Sequence, residues 1–124
     1  MNKLYNYKAI VTDVYDGDSI TINIDLGFGI ELKKQKIRLH NLNAPEIRGE
    51  NREAGIVSRD ALREKILNRE IFIETIKDKK GKYGRWIGII WLPFTRITES
   101  EGESSLENIN EWLINNNYAD YRVY

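Results

Sequence analysis

Ser19-Ile20-Thr21-Ile22-Asn23-Ile24-Asp25-Leu26 alternates polar and apolar side chains with a period of two. Successive side chains of a β-strand point to opposite faces, so this stretch reads as a strand that buries Ile20, Ile22 and Ile24. Gly27-Phe28-Gly29 marks a hairpin turn. Residues 30–41 then return as a third strand, with Ile37 and Leu39 on one face and Arg38 and His40 on the other. Upstream, residues 5–14 are rich in β-forming side chains, and Asp16-Gly17-Asp18 is a turn signal between the first two strands.

Downstream the period changes. Residues 53–68 read as a helix, with Val57, Ala61, Leu62 and Ile66 on its apolar side and charged residues opposite. Residues 70–77, with Ile71, Ile73 and Ile76, read as a fourth strand, residues 78–84 as a turn and residues 85–92 as a fifth strand. The polar run Thr98-Glu99-Ser100-Glu101-Gly102-Glu103 predicts that residues 93–105 form an exposed loop. Leu106, Ile109 and Leu113 fall at helical spacing, with Ser104 or Ser105 as the N-cap. This order predicts a single α+β, mainly β domain over residues 1–124. It would be a five-stranded OB-fold barrel with a helix between strands 3 and 4 and a C-terminal helix. Trp86, Trp91 and Trp112 are expected in the core or at its edge.

Composition excludes several classes. The chain has 124 residues, 41% of them hydrophobic, enough for one ordinary core. No apolar run approaches the roughly 18 residues that cross a bilayer. There is no cysteine, which excludes disulfides and thiolate metal sites. Residues 1–8 show no apolar leader, an observation that fits either a cytoplasmic chain or a mature secreted form. The formal net charge is zero, but its distribution is uneven. Lys77, Lys79, Lys80, Lys82 and Arg85 form one basic cluster and Lys33, Lys34, Lys36 and Arg38 a second, while Glu99, Glu101, Glu103, Glu107 and Glu111 make a late acidic stretch. A local positive patch attracts phosphates even on a neutral protein.

Three segments could carry chemistry. In Asp16-Gly17-Asp18-Ser19 the glycine permits a tight turn, and two carboxylates can point into one concavity, as a hard divalent cation requires. In Arg38-Leu39-His40-Asn41-Leu42-Asn43-Ala44-Pro45-Glu46 a strand holds the guanidinium, and Asn43, the Ala44 carbonyl and Glu46 offer oxygens within four residues. Lys82-Tyr83-Gly84-Arg85 places basic groups and an aromatic at a hairpin turn, where they can grip phosphate and stack on a base. Each alone is compatible with an ordinary polar turn or a solvated charge. Together they supply what phosphodiester cleavage needs: cation ligands, a carboxylate to take a proton from water, and arginines for the anionic phosphorus. His40 is the only histidine and makes neither a zinc site nor a triad.

These motifs, in this order and spacing, resemble the thermonuclease (staphylococcal-nuclease-like) family. The resemblance runs from about Val11 to Tyr121, and Asn110-Glu111 fits it too. It implies an OB-fold and a calcium-dependent nuclease acting on DNA, RNA or both. No membrane partner is expected, and the chain is expected to be a monomer. Asp18 resembles the family's metal-ligating aspartate, with Asp16 close behind and the Ala44 carbonyl as a further ligand. Arg38 and Arg85 resemble the arginines on the scissile phosphate, Glu46 the general base, and Lys82 and Tyr83 contacts to a neighbouring phosphate. One residue departs from the pattern. Asn43 stands where the family more often has an aspartate as second ligand. An amide oxygen can still ligate, with one negative charge fewer, so weaker calcium binding and tolerance of another divalent cation are expected. The competing reading is a non-catalytic OB-fold module that binds single-stranded nucleic acid or a protein partner. The set Asp18, Arg38, Glu46 and Arg85 discriminates, since such a module needs none of the four together.

Overall fold

The computed structural model describes residues 5–80, 84–95 and 104–123. Three long strands open it: β1 (Asn6–Asp16), β2 (Ser19–Gly27) and β3 (Ile30–Leu39). A two-residue strand β4 (Leu42–Asn43) precedes helix α1 (Arg52–Ile66). Then come β5 (Glu70–Lys80), β6 (Trp86–Thr95), β7 (Ser104–Asn108), α2 (Ile109–Asn115) and the short β8 (Asp120–Tyr121). The sheet order is β3-β2-β1-β5-β6-β7, with an additional β3–β6 pairing. That extra pairing closes five strands into a barrel, the mainly β OB-type architecture that the sequence predicts.

The alternation read in Ser19 to Leu26 holds in space. Ile20, Ile22 and Ile24 are buried in the barrel with Ile37, Leu39, Ile71, Ile73 and Ile90. Leu62 and Ile66 of α1 and Ile109 and Leu113 of α2 join the same core. Trp86 and Trp112 pack against it at the edge. The indole of Trp91 is partly buried and donates from Nε1 to Glu74 Oε1 at 3.1 Å.

Closure is a parallel seam. Ile37, Arg38 and Leu39 pair with Trp86, Ile87 and Gly88, and the His40 N–H extends the pairing to the Gly88 carbonyl at 2.8 Å. Buried Asn110 of α2 locks it: Oδ1 accepts from Ile90 N at 3.0 Å, while Nδ2 donates to the His40 and Gly88 carbonyls, each at 3.2 Å. A side chain at 88 would be tight, because a Cβ there would lie 3.0 Å from Ile73 Cδ1 and 3.2 Å from the Glu74 carbonyl oxygen, so those neighbours would have to give way by a few tenths of an ångström.

The structure corrects four sequence expectations. β5 runs on through Lys80, so residues 78–80 are strand rather than part of the turn expected at 78–84, of which residues 81–83 lie outside the described residues. The buried face of α1 is Gly55, Ser58, Leu62 and Ile66, whereas Val57 is 58% exposed. This helix meets the turn and loop beside it through small residues, which an apolar pattern does not register. Residues 93–95 continue β6 rather than opening a loop, and they pair with residues 104–106 of β7. The part of the expected loop at residues 96–103 lies outside the described residues. Leu106 therefore belongs to a strand, and the cap of α2 is Asn108, whose side chain accepts from Glu111 N at 3.1 Å, rather than Ser104 or Ser105. His40 sits in the turn just after β3, where burial pushes its pKa down against the opposing pull of Glu74.

Asn110→Ala strands the buried Ile90 N–H and removes two further bonds across the seam. A loss of about 2–3 kcal/mol is expected, seen as a lower urea midpoint at unchanged slope. An unshifted midpoint would show that the amide does not hold the seam.

Candidate active site

The site grows from the β1–β2 turn. Gly17 permits the closest approach in it: a Cβ there would lie 2.7 Å from the Ala44 Cβ and 2.9 Å from the Ser58 Cβ. Asp16 Oδ1 accepts from the Asp18 N–H at 3.1 Å, an Asx-type turn that aims Asp18 inward. The Asp18 side chain is buried, with the residue 6% exposed. Its Oδ2 accepts from Ala44 N at 2.9 Å and lies 3.4 Å from Arg38 Nη1; its Oδ1 accepts from Ser19 Oγ at 3.1 Å. A buried carboxylate persists only when paired and hydrogen-bonded, and here three groups meet that need.

The second guanidinium reaches the same carboxylate through one hydroxyl. Arg85 Nη1 donates to Ser19 Oγ at 2.8 Å, and Ser19 donates onward to Asp18. Arg38 pairs across β2–β3 with Ser19 and also donates from Nη2 to Asn43 Oδ1 at 3.4 Å and from Nη1 to the Leu39 carbonyl at 3.2 Å. Asp18, Ser19, Arg38, Asn43, Ala44 and Arg85 thus form one connected network. It is drawn from residues far apart in the chain.

Glu46 is placed by its backbone. A Cβ at Gly55 would collide with the Glu46 carbonyl, so α1 and the loop after β4 touch main chain to main chain. The Glu46 side chain is exposed and borders an open cleft with Asn43, Ala44, Arg48 and Asn51. It has no direct bond to Asp18, Arg38 or Arg85. Lys82 and Tyr83 lie outside the described residues.

Four further residues shape the site; sequence reasoning quotes Ser19 as the last residue of Asp16-Gly17-Asp18-Ser19, without a role, and names none of the other three. Ser19 links Arg85 to Asp18, and Gly55 seats the Glu46 loop. Ser58 donates to the Tyr118 carbonyl at 2.6 Å and so ties α1 to the returning tail. Asp120 pairs across β4–β8 with Asn43, which puts a carboxylate residue beside that amide. Only Ser19 carried a signal, by its place next to Asp16-Gly17-Asp18; the others depend on contacts that no local pattern encodes.

The candidate cation donors at and beside the network are hard oxygens: the Asp16 and Asp18 carboxylates, the Asn43 amide oxygen and the carbonyl that Ala44 carries. In kind they fit a hard divalent cation. The Asp16 pKa is pushed up to about 7, first by burial and then by its hydrogen bond with Asp18 and that residue's charge. Two acidic groups crowded in this way are a setting in which a bound cation favours the ionised form. Among the described residues, no three histidine, cysteine, aspartate or glutamate side chains gather as a metal-holding group. A cation here would rely on the neutral oxygens of Asn43 and Ala44 for part of its shell.

A family model described as staphylococcal nuclease homologue matches residues 36–124. The chain belongs to this nuclease-type family. The match starts after Asp16-Gly17-Asp18-Ser19. That segment is joined to the matched part by the bonds from Asp18 to Ala44 and Arg38 and from Arg85 to Ser19. No curated protein matches the chain. Among the described residues, no helix is long and apolar enough to cross a membrane.

The close contacts at Gly17 and Gly55 make these positions intolerant of a methyl group. Gly55→Ala is expected to cost about 1–3 kcal/mol, the usual range for overpacking, with a matching fall in melting temperature. Wild-type stability in this variant would mean that the loop after β4 does not rest on α1.

Proposed function

We propose that this chain is a divalent-cation-dependent nuclease, with calcium as the first choice of ion, that hydrolyses phosphodiester bonds of DNA, RNA or both. The observation that carries the reading is the link from Arg85 through Ser19 to Asp18 and on to Arg38, which gathers two guanidinium groups at one buried carboxylate. Membership of a nuclease-type family supports it.

In this reading Arg38 and Arg85 hold the non-bridging oxygens of the scissile phosphate. Guanidinium groups match that geometry, keep their charge at any working pH and strengthen their hold as charge builds on phosphorus. Held by β3 and by Ser19, they need little rearrangement when the reaction occurs. Glu46, exposed on the cleft, takes the proton of the attacking water. Asp18, with Asn43 and the Ala44 carbonyl, would hold the cation, and Asp16 stands behind them. A cation there supplies Lewis-acid polarisation of the phosphoryl oxygen and lowers the pKa of water. Lys82 and Tyr83 contact an adjacent phosphate.

The test is direct. Purified protein is incubated with plasmid and with single-stranded DNA in calcium, in magnesium and in chelator. Cleavage that needs a divalent ion supports the reading. Retained binding without cleavage in any ion would replace it with the non-catalytic OB-fold module, a view that Asn43 favours.

Arg38→Ala and Arg85→Ala should each lower turnover by about 10²–10³, the usual worth of one transition-state contact. Glu46→Gln should slow turnover while leaving cation affinity nearly unchanged by calorimetry. If both arginine variants keep most of their activity, the mechanism is wrong.

Asn43→Asp restores a charge next to Asp18 and should tighten calcium binding. Equal affinity for the two proteins would remove Asn43 from the ligand set.

A further inference from the structure

The basic cluster Lys33, Lys34 and Lys36 has no part in the site described above, yet the structure joins it to Arg38. Ile37 and Leu39 are fully buried, so Arg38 and Lys36 share the outward face of β3, about 6.6 Å apart along the strand. Beyond Lys36 the hairpin has a bulge. Ile22 pairs with Gln35 and Ile24 with Leu32, so Asn23 alone opposes both Lys33 and Lys34. Ile22 and Ile24 are buried, which places Asn23 on the outward face, and the two lysines that oppose it are both exposed. The bulge puts Lys34 at φ 55, a left-handed conformation unusual for lysine, and the Asn23 side chain stabilises it by accepting from the Lys34 N–H at 3.0 Å.

The consequence is a line of cations: Arg38, Lys36, then Lys34 and Lys33 together. All three lysines are exposed, and none is in an ion pair with a described residue. On β2 the partners along this line are Ser19, Thr21 and Asn23, all neutral hydrogen-bonding residues. The line ends where Asp25 pairs with Glu31. A single row of positive charge beside neutral donors suits one phosphodiester backbone. A duplex presents two, with a charge about every 1.7 Å of its axis, and would call for a broader basic surface.

We propose that Lys33, Lys34 and Lys36 form a track that carries the phosphates of a single-stranded nucleic acid away from Arg38. The track gives the protein a preference for extended strands over short fragments. It rests on the nucleic-acid reading given above and adds to it where the rest of the strand lies. The Lys34 bulge has a function in this arrangement, since it sets two adjacent exposed cations opposite the single neutral residue Asn23.

The test measures binding in chelator, so that no turnover is needed. Fluorescence anisotropy follows two labelled oligothymidylates as salt is raised. One is a dinucleotide and the other about 12 nucleotides long, within the usual span of an OB-fold site. The variant is Lys33→Ala, Lys34→Asn and Lys36→Ala combined, with asparagine at 34 because it tolerates positive φ. For the long strand, the slope of log affinity against log salt should become shallower by about 2, at about 0.7 for each phosphate that is no longer neutralised. Dinucleotide affinity should change less than twofold. Lys36→Ala alone, which leaves the bulge untouched, should make the slope shallower by about 0.7. Lysine-to-arginine changes at 33 and 36 should preserve it. An unchanged slope on the long strand overturns the track but not the nuclease, and an equal loss on both ligands also overturns it. If the unmodified protein does not bind the long strand in chelator, the track is overturned; if it also cleaves no DNA with calcium or magnesium, the nucleic-acid reading itself falls.

Discussion

The parallel seam between β3 and β6 is the constraint on which the site depends. Arg38 and Arg85 are separated by the whole of β4, α1 and β5, and nothing local brings them together. Three residue pairs and the His40–Gly88 bond do so, and the Asn110 amide ties the same strands from α2. A side chain at residue 88 would press on β5, which passes closely behind. A substitution there would therefore change the spacing of two arginines it never touches.

A second constraint is electrostatic. Asp18 is removed from water and needs its partners: the Ala44 amide, the Ser19 hydroxyl and the Arg38 guanidinium. Each partner comes from a different part of the site, so satisfying one buried charge also fixes the β1–β2 turn, β3 and the exit loop. Arg38 already neutralises part of that charge. A cation at Asp18 would share the carboxylate with a guanidinium, which makes the neutral Asn43 a larger handicap than a simple ligand count implies. The pairing of Asn43 with Asp120 brings an acidic residue back to the neighbourhood from the C-terminal end.

Much of this is legible in the residues. The period-two run from Ser19 to Leu26 and the Ile37–Leu39 face agree with the barrel, because a strand with one buried face writes its register into the sequence. The apolar stripe of α1 misleads at Val57, since the buried face begins with Gly55 and Ser58. Leu106 keeps helical spacing with Ile109 and Leu113 but lies in β7, where pairing with β6 outweighs a short helix's weak preference. The motifs around Asp18, Arg38, Glu46 and Arg85 can be recognised one by one, but not the hydroxyl of Ser19 that connects two of them.

Strand periodicity, turn chemistry and residue type are local properties, and the sequence by itself determined those: the five barrel strands, the tight turn at Gly17 and the candidate chemistry of each motif. Tertiary structure alone decided which motifs meet, through barrel closure, the touching backbones at Gly55 and Glu46, and the burial of Asp18. The reason is physical. Closure and close approach depend on the combined packing of elements distant in the chain, and glycine, serine and asparagine, which make those approaches, carry no apolar signal to announce them.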